Sequence, residues 1–310
     1  MQLPEALRAR APKPGELPAI LALVVRSDID LLGEPDTDAD DIRAQWAAPG
    51  FDLTRDALLI TGEDDAPVAY AFTSSGGTIG DVVVDPGARG RGLGTALLSW
   101  VVARAGEQAR TAGKGPVQLK LEASERLPAA AHLLARAGFT PTRVTLLMET
   151  RLDTPVPAPV WPDGIRTREF GRDGDDRAVY QLVQDAFADV EGWTPRGFDE
   201  WSVFTFGREA FDPELMFLAI DDAGTLAGAA MCFKFEGEGF VQYLAVARPW
   251  RRRGLGEALL RHALGTMAAR GMPRATLYVD ADNTTGATRL YERAGMTPAH
   301  RWDRWERQVG

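Results

Sequence analysis

Two glycine-rich segments, far apart in the chain, have the composition of phosphate-binding turns. One begins at Arg89 and the other at Arg251, and both read Arg-x-x-Gly-x-Gly between an apolar strand pattern and an amphipathic helix pattern. Glycines at a strand-to-helix turn allow a ligand to approach the main chain closely. The start of the helix adds unpaired N–H groups and a partial positive charge. With an arginine beside it, each turn therefore suits a pyrophosphate.

Neither segment fits the two common nucleotide-binding motifs. A Walker loop needs Gly-Lys-Ser/Thr, and neither segment contains that lysine. A dinucleotide fingerprint needs Gly-x-Gly-x-x-Gly, which residues 90–94 and 254–256 do not provide. The pattern of residues 215–235 also predicts an antiparallel hairpin before the second turn, whereas a dinucleotide-binding unit has a βαβ order. A nucleotide-binding enzyme of either kind is disfavoured.

The two turns belong to a longer internal repeat. Residues 82–98 recur as residues 244–260, and residues 136–139 recur as residues 293–296. The repeated unit has the size of a domain, so the chain is predicted to be a duplicated domain and not a solenoid.

A proline-rich segment separates the two copies. Residues 153–162 contain four prolines, which exclude a helix or a central strand and favour a stiff, extended connector. We therefore predict an N-terminal domain over residues 1–152, a linker over 153–162 and a C-terminal domain over 163–310.

Composition narrows the class of protein. The chain has 310 residues, a formal net charge of −9 and 45% hydrophobic residues, which is typical of globular domains and disfavours binding to nucleic acid or to an anionic membrane. The single cysteine, Cys232, excludes an internal disulfide, and the three scattered histidines give little material for a metal site. The N-terminal segment lacks the pattern of a secretory signal, so we expect a soluble cytoplasmic protein without a bound metal.

A second block completes a recognisable pattern. It consists of Asn283, Ala287, Leu290, Tyr291, Gly295 and Met296, at the spacing Asn-x-x-x-Ala-x-x-Leu-Tyr-x-x-x-Gly-Met. Together with the glycine-rich turn, this block resembles the GNAT superfamily of acyl-CoA-dependent N-acyltransferases. Because the resemblance covers both halves, the layout is similar to that of tandem GNAT enzymes, among them the mycothiol synthases.

The resemblance implies a fold and a cofactor. The fold expected is α/β, with a mixed sheet in each of two tandem GNAT domains, and two strands in each sheet that splay apart. The pantetheine arm of acetyl-CoA would lie between these strands, and the pyrophosphate would bind at the glycine-rich turn. The residues expected to bind the cofactor are Leu244, Ala245, Val246, Arg251, Arg252, Arg253, Gly254, Leu255, Gly256, Glu257, Ala258 and Asn283 in the second copy, and Val84, Arg89, Gly90, Arg91, Gly92, Leu93, Gly94 and Thr95 in the first.

The same resemblance implies the roles of the catalytic residues. Tyr291 is the expected general acid, which would protonate the leaving thiolate, and the main-chain N–H of Leu244 or Ala245 would stabilise the oxyanion. The position of the carboxylates in the sequence, and not the resemblance, predicts Glu238 as the general base, with Glu236, Asp189 and Glu191 as alternatives. In the first copy, Leu134 stands where Tyr291 is expected and Arg126 where Asn283 is expected. The N-terminal domain is therefore predicted to be degenerate and without activity.

These inferences converge on an N-acetyltransferase that acts on a primary amine of a small molecule. The acidic residues near the expected acceptor side favour a cationic amine as the acceptor. A mycothiol precursor is the rival acceptor, and the N-terminus or a lysine of a protein is a third alternative. A non-catalytic acyl-CoA-binding sensor is the alternative from a different class. We expect a monomer or a homodimer.

Overall fold

A computed structural model describes residues 7–113, 115–190, 193, 195–235, 237–281 and 286–310. The first strands and helices are β1 (Arg8–Arg10), α1 (Leu17–Leu32), α2 (Ala39–Trp46), α3 (Leu53–Asp56), β2 (Ala57–Thr61), β3 (Pro67–Ser74), β4 (Ile79–Val84), α4 (Leu93–Thr111), β5 (Val117–Ser124), α5 (Pro128–Arg136) and β6 (Thr140–Arg151). They are followed by β7 (Ile165–Glu169), α6 (Arg172–Phe187), α7 (Phe198–Phe206), β8 (Phe211–Asp221), β9 (Leu226–Phe235), β10 (Glu238–Val246), α8 (Leu255–Ala269), β11 (Arg274–Asp280), α9 (Ala287–Arg293) and β12 (Thr297–Val309).

The chain forms two compact units whose boundary differs from the predicted one. Unit 1 contains the residues up to Val144 and the segment Trp302–Gly310, and unit 2 contains Thr145–Arg301. The division falls within β6 and within β12, and not at residues 153–162, because the end of each copy is used in the sheet of the other unit.

The strand pairing shows this exchange directly. Residues 145–151 of β6 pair antiparallel with β11, in the sheet of unit 2. Residues 302–309 of β12 pair antiparallel with β5, in the sheet of unit 1. Since the two strands are equivalent elements of a duplicated sequence, either assignment satisfies the same local pattern of apolar residues.

Unit 1 is a mixed sheet with a helix layer on each face. Strands β1 to β5 follow one another in the sheet, and every pair is antiparallel except β4 and β5, which are parallel and meet only at Ile79 and Lys120. One face is covered by α4, whose Leu97 and Val101 are fully buried. The opposite face is covered by α1 and α2, with Ile20 fully buried.

Unit 2 repeats this arrangement. Its sheet runs from the end of β6 through β11, β10, β9 and β8 to β7, with β10 and β11 as its parallel pair. Helices α8 and α9 cover one face, and α6 and α7 cover the other. Strand β9 is buried on both faces from Ala227 to Phe233, so it reads as an apolar run and not as an alternation. The mixed α/β fold expected from the sequence is confirmed.

None of the helices in the described ranges is both long and apolar enough to cross a lipid bilayer.

Candidate active site

The parallel strands β10 and β11 of unit 2 separate after two residue pairs. Gly239 is paired with Ala275 and Phe240 with Thr276, and the described parts of the two strands form no pairs beyond these. On its other edge, β10 continues to pair with β9 as far as Val246, after an irregularity between Val241 and Tyr243. A β-bulge of this kind bends the strand. The edge of β10 that faces β11 therefore has main-chain groups available to a ligand, as the resemblance implied.

A glycine allows helix α8 to lie close to the separated strands. A Cβ atom on Gly228 would lie 2.9 Å from Leu259 and 3.1 Å from the carbonyl oxygen of Ala245. A side chain at this position would push α8 away from β10, and α8 begins at the candidate phosphate site. Gly228 thus fixes the approach of the helix to the strand that is expected to bind the acyl donor.

The residues predicted to bind the cofactor lie together at the open end of β10. Leu244, Ala245 and Val246 end the strand, Arg251, Arg252, Arg253 and Gly254 form the turn, and Leu255, Gly256, Glu257 and Ala258 form the first turn of α8. Gly254 is the N-cap residue at φ 86°, and no side chain caps the helix. The first N–H groups of α8 therefore remain available to an anion. Asn283 lies outside the described residues.

The first copy has the same backbone geometry at its turn. Gly90 and Gly92 have φ 77° and 83°, and the corresponding Arg252 and Gly254 have φ 59° and 86°. In the first copy, Val84 ends β4, Arg89, Gly90, Arg91 and Gly92 form the turn, and Leu93, Gly94 and Thr95 begin α4. Gly92 is again an N-cap residue without a capping side chain. Both units thus present an uncapped helix start beside a pair of separated parallel strands.

The first arginine of each turn bonds to the first helix of its unit or to a residue just beyond that helix. Arg251 donates to the carbonyl oxygen of Ala186 at 3.0 Å and to Asp189 at 2.9 Å. Arg89 likewise donates to Asp30 of α1 at 2.5 Å. Both side chains thus link the turn to a helix of the same unit, and their contact with a phosphate stays a prediction.

The other arginines of the second turn differ in their surroundings. Arg253 stacks over the ring of Trp250 at 4.0 Å. Within the described ranges, no partner is found for the guanidinium of Arg252, which is exposed. Glu257, in the first turn of α8, is held by Arg261 at 3.0 Å and by Arg293 at 2.9 Å. Hydrogen bonds from Arg293 and Arg261 lower the pKa of Glu257 despite partial desolvation, and its negative charge is offset next to the anion site.

Tyr291 extends from α9 on the α8 side of the sheet. Its half-buried ring packs against the apolar cluster that also includes Leu244 and Val246 of β10. Burial raises the pKa of Tyr291 to about 12, so the hydroxyl is protonated at neutral pH. Among the described residues, no group hydrogen-bonds to this hydroxyl, which leaves it free to donate to a ligand.

The candidate bases lie on the other side of the sheet. Glu238 is the first residue of β10 and, like Phe240, projects towards α6 and α7. Its carboxylate forms an ion pair with Arg274 at 2.8 Å. Asp189 is exposed and pairs with both Arg248 and Arg251, whose bonds lower its pKa. The negative charges of Glu238 and Asp189 are thus offset by arginines, which weakens the expectation of a cationic acceptor. Glu191 and Glu236 lie outside the described residues.

The first copy lacks the counterpart of the tyrosine in structure as well as in sequence. Leu134 of α5 is buried, with 4% of its surface exposed, and belongs to the apolar cluster of unit 1. Arg126, at the position expected for asparagine, donates a hydrogen bond to the carbonyl oxygen of Leu31 at 2.9 Å. Neither residue offers a hydroxyl group like that of Tyr291.

Comparison with known proteins agrees with this geometry. The model of the acetyltransferase (GNAT) family matches residues 177–296, and that of an acetyltransferase (GNAT) domain matches residues 55–141. The chain is 36% identical over 313 residues to a mycothiol acetyltransferase of Thermobispora bispora, with 93% of this chain and 94% of the relative covered. A mycothiol acetyltransferase of Clavibacter michiganensis is 36% identical over 250 residues, which cover 78% and 77% of the two chains.

Solved structures show the same fold over the whole length. A GCN5-related N-acetyltransferase from Sphaerobacter thermophilus is 34% identical and superposes with a TM-score of 0.81, over 99% of this chain and 97% of that one. A tandem GNAT protein from the clavulanic acid biosynthesis pathway has a TM-score of 0.73 over 98% and 99% of the chains, and at 19% identity it supports the fold alone. The family models, the relatives and the geometry of the separated strands lead to one conclusion: this chain belongs to the GNAT acetyltransferase family, as an acyl-CoA-dependent N-acetyltransferase with two GNAT domains in tandem.

Proposed function

We propose that unit 2 transfers the acetyl group of acetyl-CoA to a primary amine of a small molecule, by direct attack of the amine on the thioester. The observation that carries this proposal is the gap between β10 and β11, which has the uncapped start of α8 at its end and Tyr291 packed beside it. A pantetheine arm between the strands would pair with the main chain of β10, and the first N–H groups of α8 would hold the pyrophosphate.

Two protons move in the reaction, and a different side chain acts on each of them. Glu238 takes a proton from the attacking amine through a chain of water molecules. Tyr291 donates a hydrogen bond to the sulfur as the carbon–sulfur bond breaks, and its proton follows once the thiolate has formed. The main-chain N–H of Leu244 or Ala245 stabilises the negative charge on the carbonyl oxygen. The products are an amide and free CoA thiol, and both side chains return to their starting states through exchange with water.

Glu238 begins β10, six residues before Leu244, so the proton must travel roughly 20 Å through ordered water to reach it. It lies on the α6 and α7 face of β10, whereas Tyr291 lies on the α8 face, so base and acid approach the thioester from opposite sides of the sheet. Arg274 forms an ion pair with the carboxylate at 2.8 Å and so fixes its position at the start of the strand. Glu238→Gln is expected to lower kcat most strongly below pH 8, where more of the amine is protonated.

The acceptor we propose to test first is the deacetylated precursor of mycothiol. Two relatives that each match more than nine-tenths of this chain are mycothiol acetyltransferases. The assay is release of CoA thiol from acetyl-CoA with this precursor and with a panel of other primary amines. Turnover that depends on Tyr291 supports the proposal, and acetyl-CoA binding without turnover on any amine would favour the sensor.

Unit 1 is proposed to bind acyl-CoA without catalysis. It keeps the separated strands and the left-handed glycines Gly90 and Gly92, but Leu134 has no proton to donate. Titration calorimetry is expected to show two acetyl-CoA molecules per chain, and a single binding event would contradict this assignment. The full chain is the right sample, because a cut in residues 153–162 would separate β6 and β12 from the sheets they complete.

A further inference from the structure

A cluster of aromatic side chains covers β10 on the side opposite α8. The aromatic cluster, as we name it, consists of Tyr180 and Phe187 from α6, Trp193, Trp201 from α7, and Tyr243 from β10. The ring centroids of Trp193 and Trp201 lie 6.4 Å and 6.0 Å from that of Tyr243. Tyr243 directly precedes Leu244 in the strand that is expected to bind the thioester. The cluster therefore lies next to the site at which the amine must attack.

In this cluster and on the neighbouring face of α6, four buried polar atoms have no hydrogen-bond partner among the residues that the structure describes. They are Nε2 and Oε1 of Gln184, Nε1 of Trp193 and Nε1 of Trp201. Gln184 lies one helical turn from both Tyr180 and Phe187, so it shares their face of α6. Trp201 is 1% exposed, which leaves its N–H without access to solvent. Buried polar groups are normally paired, and leaving them unpaired destabilises the folded state.

The chemistry of these atoms indicates which groups of a ligand would form hydrogen bonds with them. The amide nitrogen and the two indole nitrogens are donors, the amide oxygen is an acceptor, and none of these groups carries a charge. The nearest acidic residue on the chain after α6, Asp189, is already bonded to Arg248 and Arg251. A complementary ligand therefore presents neutral oxygens and at least one hydroxyl against an aromatic surface.

We propose that Gln184, together with Trp193 and Trp201, binds an uncharged, hydroxyl-bearing part of the amine acceptor, and that Gln184 determines acceptor specificity. The inference rests on the proposed function only in placing the acceptor beside β10 of unit 2. The polar atoms that are unpaired in the free enzyme would then be positioned in advance for the ligand, and they lower the stability of the folded protein until the ligand binds.

The test compares Gln184→Met, which keeps the size of the side chain and removes both polar atoms, with Gln181→Met on the same helix. Gln181 is exposed and donates only to Asp185, at 2.9 Å, so it is a matched control. The probes are glucosamine and cyclohexylamine, two ring amines that differ in their hydroxyl groups. Their binding to the enzyme loaded with CoA is measured by titration calorimetry, and their acetylation by thiol release.

We expect wild type and Gln181→Met to prefer glucosamine about tenfold, the effect of about one hydrogen bond, and Gln184→Met to lose this preference. The KM for acetyl-CoA stays unchanged in all three proteins. Without ligand, Gln184→Met is expected to melt about 2–4 °C higher, because a buried unpaired amide is removed. Gln184→Leu repeats the test with a side chain of different shape.

Equal preference for glucosamine in wild type and Gln184→Met would overturn the inference, and so would the absence of any preference in wild type. The outcome for the proposed function is separate. Binding of glucosamine that depends on Gln184 without acetylation supports the inference and counts against catalysis at this site, whereas acetylation of cyclohexylamine alone supports catalysis and refutes the inference.

Discussion

Tyr291→Phe removes one hydroxyl group and tests the proton donor directly. Burial raises the pKa of Tyr291 to about 12. A thiol has a pKa near 8.5, so complete transfer of the proton to a thiolate is uphill by roughly 3.5 units, or about 5 kcal/mol. The hydroxyl therefore acts mainly as a hydrogen-bond donor to the developing thiolate, an interaction with a charged group worth about 1.5–3 kcal/mol. We expect kcat to fall about 100-fold, at the low end of the range for general acid catalysis.

The pH dependence follows from the direction of the same shift. Because the pKa of Tyr291 is raised above its usual value, the hydroxyl stays protonated as the pH rises to 10, and its contribution is lost only near pH 12. The profile of kcat between pH 6 and 10 should therefore show no decline due to this residue. The assay is thiol release at saturating acetyl-CoA, whose KM should be unchanged in Tyr291→Phe, since the contacts expected with the cofactor are main-chain ones.

Tyr70→Phe in unit 1 is the matched control, because burial raises the pKa of Tyr70 to about 12 as well. This variant should keep the kcat of wild type. Two results would refute the reasoning: wild-type kcat in Tyr291→Phe, or an activity loss above pH 9 in wild type that disappears in Tyr291→Phe.

Three further substitutions test the supporting structure. Arg252→Gly should change the free energy of unfolding by less than about 1 kcal/mol, because relief of the left-handed backbone at this position opposes the flexibility of glycine. The same substitution should weaken the binding of acetyl-CoA about fivefold by calorimetry. Unchanged affinity would show that this guanidinium does not contact the cofactor. Gly256→Ala places a Cβ 3.0 Å from the end of the Leu290 side chain, which must give way directly beside Tyr291, and kcat should fall about tenfold with little loss in the melting temperature. Asp56→Ala leaves Arg104 without its buried partner at 2.7 Å and should destabilise unit 1 by about 3 kcal/mol in urea unfolding, with a loss below 1 kcal/mol counting against the pair.

Much of the site was predictable because its signals are local. The sequence predicted an amphipathic helix after the second glycine-rich turn, and α8 begins directly after Gly254. The separation of β10 and β11 was expected from the family resemblance. The bulge after Val241 that accompanies it leaves no clear mark in the sequence.

What the sequence could not reveal depends on contacts between distant residues. The arginine of the second turn was expected at the phosphate, but its partners Ala186 and Asp189 lie on α6 and just beyond it, far from it in the chain. Gln184 was not singled out, because a glutamine on a helix is ordinarily a surface residue. Only the burial of both polar atoms of its amide without a partner distinguishes it.

The exchange of β6 and β12 sets an order for folding during synthesis. The sheet of unit 2 needs no residue beyond Arg301, whereas unit 1 lacks the strand that pairs with β5 until Trp302 and the residues after it have left the ribosome. The unit whose synthesis starts first is thus the last to be completed. A nascent chain halted just past Arg301 would carry a complete unit 2 and a unit 1 whose β5 still has an open edge.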